Sequence, residues 1–453
     1  MKNLQEEKSK VTSPTKARQR IEALFDAGTF KELDAFSKSC GESCGVITGY
    51  GEIFGLQAYA FSQDVTADKG AINLIHADKL VKLYKLAAKT GLPVIGIYDS
   101  CGAKISDGAK ILNAYAKIVA MASKLSGVVP QISYVAGVCG GMSATVAAMA
   151  DFVIMNKDAE LFISAPSNTK LAGAGSAGNA AKSGTVSIVA DDDDSAIQTI
   201  KNIVSALPSN NLSAIPVYEY EEPAAVSFAA AKDAALSVAD SGSETELYTD
   251  FGKTAYTAIA KVNGSAVGIA SAVGGKLTSD DCTKIAKLVS VCDSYSIPVI
   301  TIIDTEGFDI TSEDELSGSI RDTAKLAHTY AEATTPKIAV ITGKAVGSAY
   351  MALSNADIVF ALENAVIAPL SAATAVEFTS HDEIAKAENK DAKRAELEKA
   401  YEDEMSAFSA AEDGFVNEIV TPAEVRSSVA SALDVLSGKR VTKLPKKHSN
   451  FPF

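Results

Sequence analysis

The chain has 453 residues, of which 47 % are apolar and 22 % charged, with a formal net charge of −14. That length predicts two domains of globular composition, and the acidity argues against nucleic acid or an anionic membrane as partner. The six cysteines and four histidines are scattered, with only Cys40 and Cys44 close together. This spacing speaks against a zinc site and against a Ser-His-Asp arrangement, so no metal is expected. The segment MKNLQEEKSKV lacks the apolar core of a signal peptide, and no run of about 18 apolar residues is found. A cytoplasmic location is expected.

Residues 1–14 are polar and expected to fray. From Thr15, apolar residues at helical spacing (Ile21, Leu24, Phe25) predict a helix, with Gly28 as its stop. Val46–Tyr50 and Leu56–Ser62 read as strands, with Gly55 in the turn. His76–Thr90 reads as an amphipathic helix, with Leu80, Leu83, Tyr84 and Ala87 on one face. It leads into a buried strand, Pro93–Gly102. Next, Ile132–Val135 reads as a buried strand, followed by a glycine turn (Gly137, Gly140, Gly141), a helix over about Ser143–Ala150 and another apolar strand. Residues 165–184 are small and polar, and predict a disordered or ligand-closing loop. The acidic run Asp191–Asp194 reads as a solvated loop. A linker is expected between about Pro208 and Ser243. Two further helices are predicted, over Asp382–Glu404 and near Ala423–Leu436.

Much of this pattern occurs twice. Residues 336–369 lie over residues 130–163 without a gap, with eight identical positions at an offset of 206, among them Gly137/Gly343, Gly141/Gly347 and Asp151/Asp357. The preceding strand repeats at an offset of 205: Pro93/Pro298, Asp99/Asp304 and Gly102/Gly307. The helix face recurs as Ile285, Leu288, Val289 and Cys292. Short strands alternating with helices predict an α/β fold, and the long period predicts a domain duplication. The predicted domains are 1–235 and 236–453.

Glycine before a helix lets a ligand approach the backbone, and the helix N-terminus carries partial positive charge. Two N–H groups aimed at one oxygen make an oxyanion hole. Each half supplies a candidate pair: one N–H from Gly102–Ala103 and one from Gly141–Met142, then one from Gly307–Phe308 and one from Gly347–Ser348. No phosphate loop and no dinucleotide fingerprint is present.

The ordered pieces TKARQRIEALFDAGTFKELDAF, VITGYGEIFG, PVIGIYDSCGAKISDG and VPQISYVAGVCGGMSA resemble the carboxyltransferase component of biotin-dependent acyl-CoA carboxylases and decarboxylases. So do the later TYAEATTPKIAVITGKAVGSAY and AAEDGFVNEIVTPAEVRSSVASAL. The resemblance covers roughly residues 15–437. Met142 and Ser348 stand where that family commonly has glycine, and DSCGAK replaces its DSGGAR.

The resemblance implies two crotonase-like domains, each a spiral of ββα units, and a hexamer with sites shared between subunits. It implies that Gly102, Ala103, Gly141 and Met142 receive the thioester oxygen of an acyl-CoA. Gly307, Phe308, Gly347 and Ser348 would receive the ureido oxygen of carboxybiotin. Met351 would line the acyl pocket, with Lys104, Arg18 and Arg20 as candidates for the coenzyme A phosphates. The chain has no biotinylation motif and no ATP-binding carboxylase segment, so biotin would arrive on a separate carrier protein. A biotin carboxylase or a membrane decarboxylase subunit would complete the system. Two rival readings remain. A crotonase-type hydratase or isomerase needs acid–base side chains beside the hole, and neither glycine turn is followed by one. A non-catalytic scaffold of a biotin complex is the other.

Overall fold

The computed structural model describes residues 3–309, 311, 315–316 and 318–452. It divides into two compact units: residues up to Pro216 with Tyr248–Asp250, and Val217–Leu247 with the chain from Phe251 onward.

The first unit is built on a mixed sheet. Its strands lie in the order Lys31–Leu33, Val46–Ile53, Leu56–Gln63, Val94–Ser100, Gln131–Gly140, Phe152–Asn156 and Ile188–Ala190, with Glu160–Phe162 paired to the far end of Gln131–Gly140. The first three strands pair antiparallel and the rest parallel. Phe54 and Gly55 close the hairpin, both at positive φ (50° and 76°), the backbone of a tight two-residue turn. Parallel strands require crossovers. Helix Leu74–Thr90 supplies one, capped by the Asn73 side chain and stopped by Gly91 in the left-handed conformation. Its predicted apolar face is buried, and Val94–Ser100 is buried along its whole length. That continuous burial is the mark of a parallel strand covered on both faces.

The second unit repeats the order: Thr245–Leu247, Ala255–Val262, Ser265–Val273, Val299–Thr305, Lys337–Val346, Ile358–Leu362 and Glu418–Val420, with Val366–Ala368 off the path. Helix Ser279–Ser294, opened by a Thr278–Asp281 capping box, buries Ile285, Leu288, Val289 and Cys292. One buried contact recurs across the repeat. Lys79 Nζ donates to the carbonyl of Val46 (2.8 Å), and Lys284 Nζ to that of Ala255 (2.8 Å), tying each helix to the first long strand of its hairpin.

Several local expectations are corrected. Residues 165–184 are not disordered throughout: they hold the short helices Pro166–Thr169 and Ala177–Lys182, the latter capped by Ser176. The predicted helix Asp382–Glu404 is two helices, His381–Lys386 and Lys390–Glu404, because Asn389 caps a new start. The acidic run is not merely solvated. Asp192 caps helix Asp193–Ala206, and Asp193 accepts from Arg20 Nε at 2.9 Å. Of the segment expected to fray, residues 1–2 lie outside the described residues and Leu4–Val11 forms a helix with nothing buried. Among the described residues no helix is long and apolar enough to cross a membrane.

Arg20 is the main polar anchor of the first unit. It is buried, and it donates to Asp99 (2.8 Å), to Asp193 and to the Ala136 carbonyl (3.2 Å). Removing one partner of a buried ion pair leaves the other uncompensated. Arg20→Met is therefore expected to lower stability by about 3–5 kcal/mol. Urea unfolding checks this: the midpoint should fall with an unchanged slope.

Candidate oxyanion sites at the two glycine turns

In each unit two backbone segments meet at the C-terminal ends of the parallel strands. One follows the strand that ends at Ser100 or Thr305. The other is the glycine turn that opens a helix, Met142–Ala148 in the first unit and Gly347–Leu353 in the second.

The first segment is fixed by a short parallel bridge. Ile72 N–H donates to the Gly102 carbonyl (2.8 Å) and Lys104 N–H to the Ile72 carbonyl (2.9 Å). Both bonds come from the neighbours of Ala103, so the N–H of Ala103 itself faces away from Ile72. The second unit repeats this around Leu277, whose N–H donates to the Gly307 carbonyl (3.0 Å) and whose carbonyl accepts from Asp309 (2.7 Å). Phe308 is thus the counterpart of Ala103. Gly102 and Gly307 adopt φ of 111° and 118°, outside the range open to a side chain. Their own N–H groups are engaged, donating to Ser100 Oγ (3.1 Å) and Thr305 Oγ1 (3.2 Å).

The glycine turn of the first unit has a similar division. The Gly141 N–H donates to the Phe162 carbonyl at 2.8 Å. Met142 is the first residue of its helix, and such an N–H has no acceptor within the helix. Gly347 begins the second helix with φ of 57°, which puts Ser348 in its first turn. Among the described residues no turn, loop or side-chain hydrogen bond uses the N–H of Ala103, Met142, Phe308 or Ser348. The two segments touch in the first unit, where a Cβ built on Gly102 would lie 3.1 Å from the Gly140 carbonyl oxygen. At Gly307 the corresponding approach to the Val346 oxygen is 3.9 Å. A pair of unpaired amides at such a junction suits a carbonyl oxygen that gains negative charge.

The remaining predicted residues fall in different places. Arg18 is buried and held by Glu32 (2.6 Å) and the Val11 carbonyl, and Arg20 is committed as described above. Both guanidinium groups are thus paired with carboxylates inside the first unit. Lys104 lies beside the first turn, pairs with Asp68 (2.8 Å) and is held above its ordinary pKa by that bond. Met351 is 61 % exposed on helix Gly347–Leu353, so it does not pack into the core. Met142 is half-buried against the first core. Cys139 is fully buried, and burial pushes its thiol up to about 12, so it is no thiolate nucleophile. Cys101, next to Gly102, is exposed. A cavity of about 510 Å³ flanks helix Met142–Ala148, lined by Ala144, Met149, Phe162, Ile163, Ser176 and Asn179 among others.

Sequence reading missed the hydroxyls of Ser100 and Thr305, which fold the first segment back on itself. Their signal was available: they occupy equivalent positions at the 205-residue offset, between the paired aspartates and glycines.

Comparison with known proteins gives a consistent answer. The carboxyl transferase domain family matches residues 13–451. The chain is 34 % identical to the methylmalonyl-CoA decarboxylase subunit alpha of Propionigenium modestum, over 98 % of this chain and 95 % of that one. It is 35 % identical to the methylmalonyl-CoA carboxyltransferase 12S subunit of Propionibacterium freudenreichii subsp. shermanii, over 96 % and 91 %. A crystal structure of transcarboxylase 12S, a hexamer solved with methylmalonyl-coenzyme A and methylmalonic acid bound, superposes with a TM-score of 0.90 at 33 % identity, covering 99 % of this chain and 94 % of that chain. With its duplicated sheet and paired glycine turns, and with a family match along nearly its whole length, the chain belongs to the carboxyl transferase family.

Proposed function

We propose that this chain is a carboxyltransferase subunit that moves a carboxyl group between carboxybiotin on a separate carrier protein and a short-chain acyl-CoA. The observation that carries the reading is the duplicated pair of unpaired amides, Ala103 with Met142 and Phe308 with Ser348. The first pair is assigned to the thioester oxygen of the acyl-CoA. When the α-carbon gives its proton to the ureido group of biotin and takes the carboxyl group in return, that oxygen carries enolate charge. Two preorganised N–H groups stabilise it without moving and without a side-chain base. The second pair is assigned to the ureido oxygen of biotin, which supplies the carboxyl group. As the carboxyl group leaves the ureido nitrogen that oxygen takes on negative charge, and the Phe308 and Ser348 amides are donors of the matching kind.

Lys104, beside the first turn, is the best placed of the three candidate phosphate contacts, and Met351, exposed on helix Gly347–Leu353, stays as a candidate lining of the acyl pocket. The likeness to a decarboxylase alpha subunit supports a second direction of use, with flux from the carboxylated acyl-CoA toward biotin. The partner is then a membrane decarboxylase subunit, and otherwise a biotin carboxylase. A hexamer, as in the superposed relative, is the proposed assembly.

The amides can be removed one at a time. Proline is accommodated in the first turn of a helix, where it deletes only an N–H that the helix does not use. Met142→Pro and Ser348→Pro are expected to lower kcat for carrier-dependent carboxyl transfer on the order of 100-fold or more. Met142→Leu keeps the amide and should stay within about threefold of the parent. Assays with malonyl-CoA and methylmalonyl-CoA, with and without the biotinylated carrier, make the measurement. Carrier-independent turnover of an enoyl-CoA, or no turnover at all, would remove this reading in favour of a hydratase or a scaffold.

Thiol labelling gives a second check. A maleimide should modify Cys101 and leave Cys139 untouched in the folded protein. Bound acyl-CoA should slow the reaction at Cys101, because the proposed thioester site begins two residues later. Peptide mass spectrometry reads both outcomes.

A further inference from the structure

Each pair of free amides is held by strands that fall out of step just before it. In the first unit Tyr98 pairs with Val135 and then Ser100 with Cys139, so a step of two residues opposes a step of four. In the second, Ile303 pairs with Ile341 and Thr305 with Ala345, the same mismatch. An aspartate lies at the centre of each, Asp99 in one and Asp304 in the other.

Both carboxylates occupy space that a side chain on the opposite strand would need. A Cβ on Gly137 would lie 2.3 Å from Asp99 Oδ1, and one on Gly343 2.2 Å from Asp304 Oδ1. The same oxygens accept the next backbone N–H, that of Val138 at 3.3 Å and that of Lys344 at 2.7 Å. Each aspartate is thus wedged into the extra length of the neighbouring strand. On its own strand it stands four residues before Ala103 or Phe308. Across the gap, Gly137 stands five residues before Met142, and Gly343 five before Ser348. One carboxylate therefore joins the two segments that present the free amides.

We infer that Asp99 and Asp304, each seated against its glycine, are positioning residues that set the spacing of the two oxyanion sites. The inference rests on the functional reading above for its kinetic consequence, though not for its structural one. The wedge touches no substrate and acts through the strand offset alone. Its duplication argues that it does the same work in both units even though its surroundings differ, since Arg20 braces Asp99 while Lys344 pairs instead with Glu306 and Glu402.

Gly137→Ala and Gly343→Ala test it in the full-length protein. Each added methyl must push the carboxylate out of its seat. Displacing a catalytic group by about 1 Å costs on the order of 100-fold, so kcat should fall by about that factor while KM for the acyl-CoA changes little. Gly268→Ala is the control: its methyl would meet Cys292 Sγ at 2.4 Å, equally crowded but at the Val299 end of the parallel strands, opposite the second unit's turn. It should lower the melting temperature without a matching loss of kcat in the folded fraction. Hydrogen–deuterium exchange read by mass spectrometry gives an answer independent of turnover. Peptides covering 137–145 should exchange faster in Gly137→Ala, and those covering 343–351 in Gly343→Ala. Unchanged exchange and parental kcat in either glycine variant would overturn the inference, as would an equal kcat loss in Gly268→Ala. A parent protein without carboxyl-transfer activity would remove the functional reading, and exchange would still decide the wedge.

Discussion

A helix cannot bond the first amides of its own N-terminus, and a residue bridged through its neighbours cannot bond its own amide to that partner. These two facts about backbone geometry meet twice in this chain. At Met142 and Ser348 the donors are left over by helix starts. At Ala103 and Phe308 they are left over by a parallel bridge to Ile72 or Leu277. Leaving such groups unpaired costs free energy unless water or a ligand takes them. The rest of each unit, from the buried strand to the helix behind the glycine turn, holds those donors in place.

The duplication keeps this backbone device and lets the side chains around it diverge. Half-buried Met142 gives the first turn an apolar flank, whereas exposed Ser348 leaves the second turn open to solvent. An acyl thioester and a ring delivered by a carrier place different demands on their surroundings, and the proposed division of labour follows that difference. Backbone donors tolerate it because the N–H is the same whatever side chain follows.

The fold was legible because glycines and aspartates recur at fixed offsets and because buried parallel strands are apolar throughout. The helix read over His76–Thr90 and the strand read over Pro93–Gly102 followed from period and run length, and are observed as Leu74–Thr90 and Val94–Ser100. Which amide in each glycine pair stays free was not legible. At Gly141 it depends on the Phe162 carbonyl, which lies on a strand that returns after the helix, and at Gly102 and Gly307 on the hydroxyls of Ser100 and Thr305. The ion pairs of Arg18 and Arg20 were not legible for a related reason. Local pattern marks them as surface cations, but Glu32, Asp99 and Asp193 draw them inside. The break between His381–Lys386 and Lys390–Glu404 hid in a uniformly charged stretch, where periodicity carries little signal.

The most direct measurement is a structure of the assembled protein with a carboxylated acyl-CoA bound. The thioester oxygen is expected at about 3 Å from both the Ala103 and the Met142 nitrogens, the distance of a working oxyanion hole. A thioester oxygen bound to side chains elsewhere, with those two amides facing water, would contradict the proposed role of the paired amides.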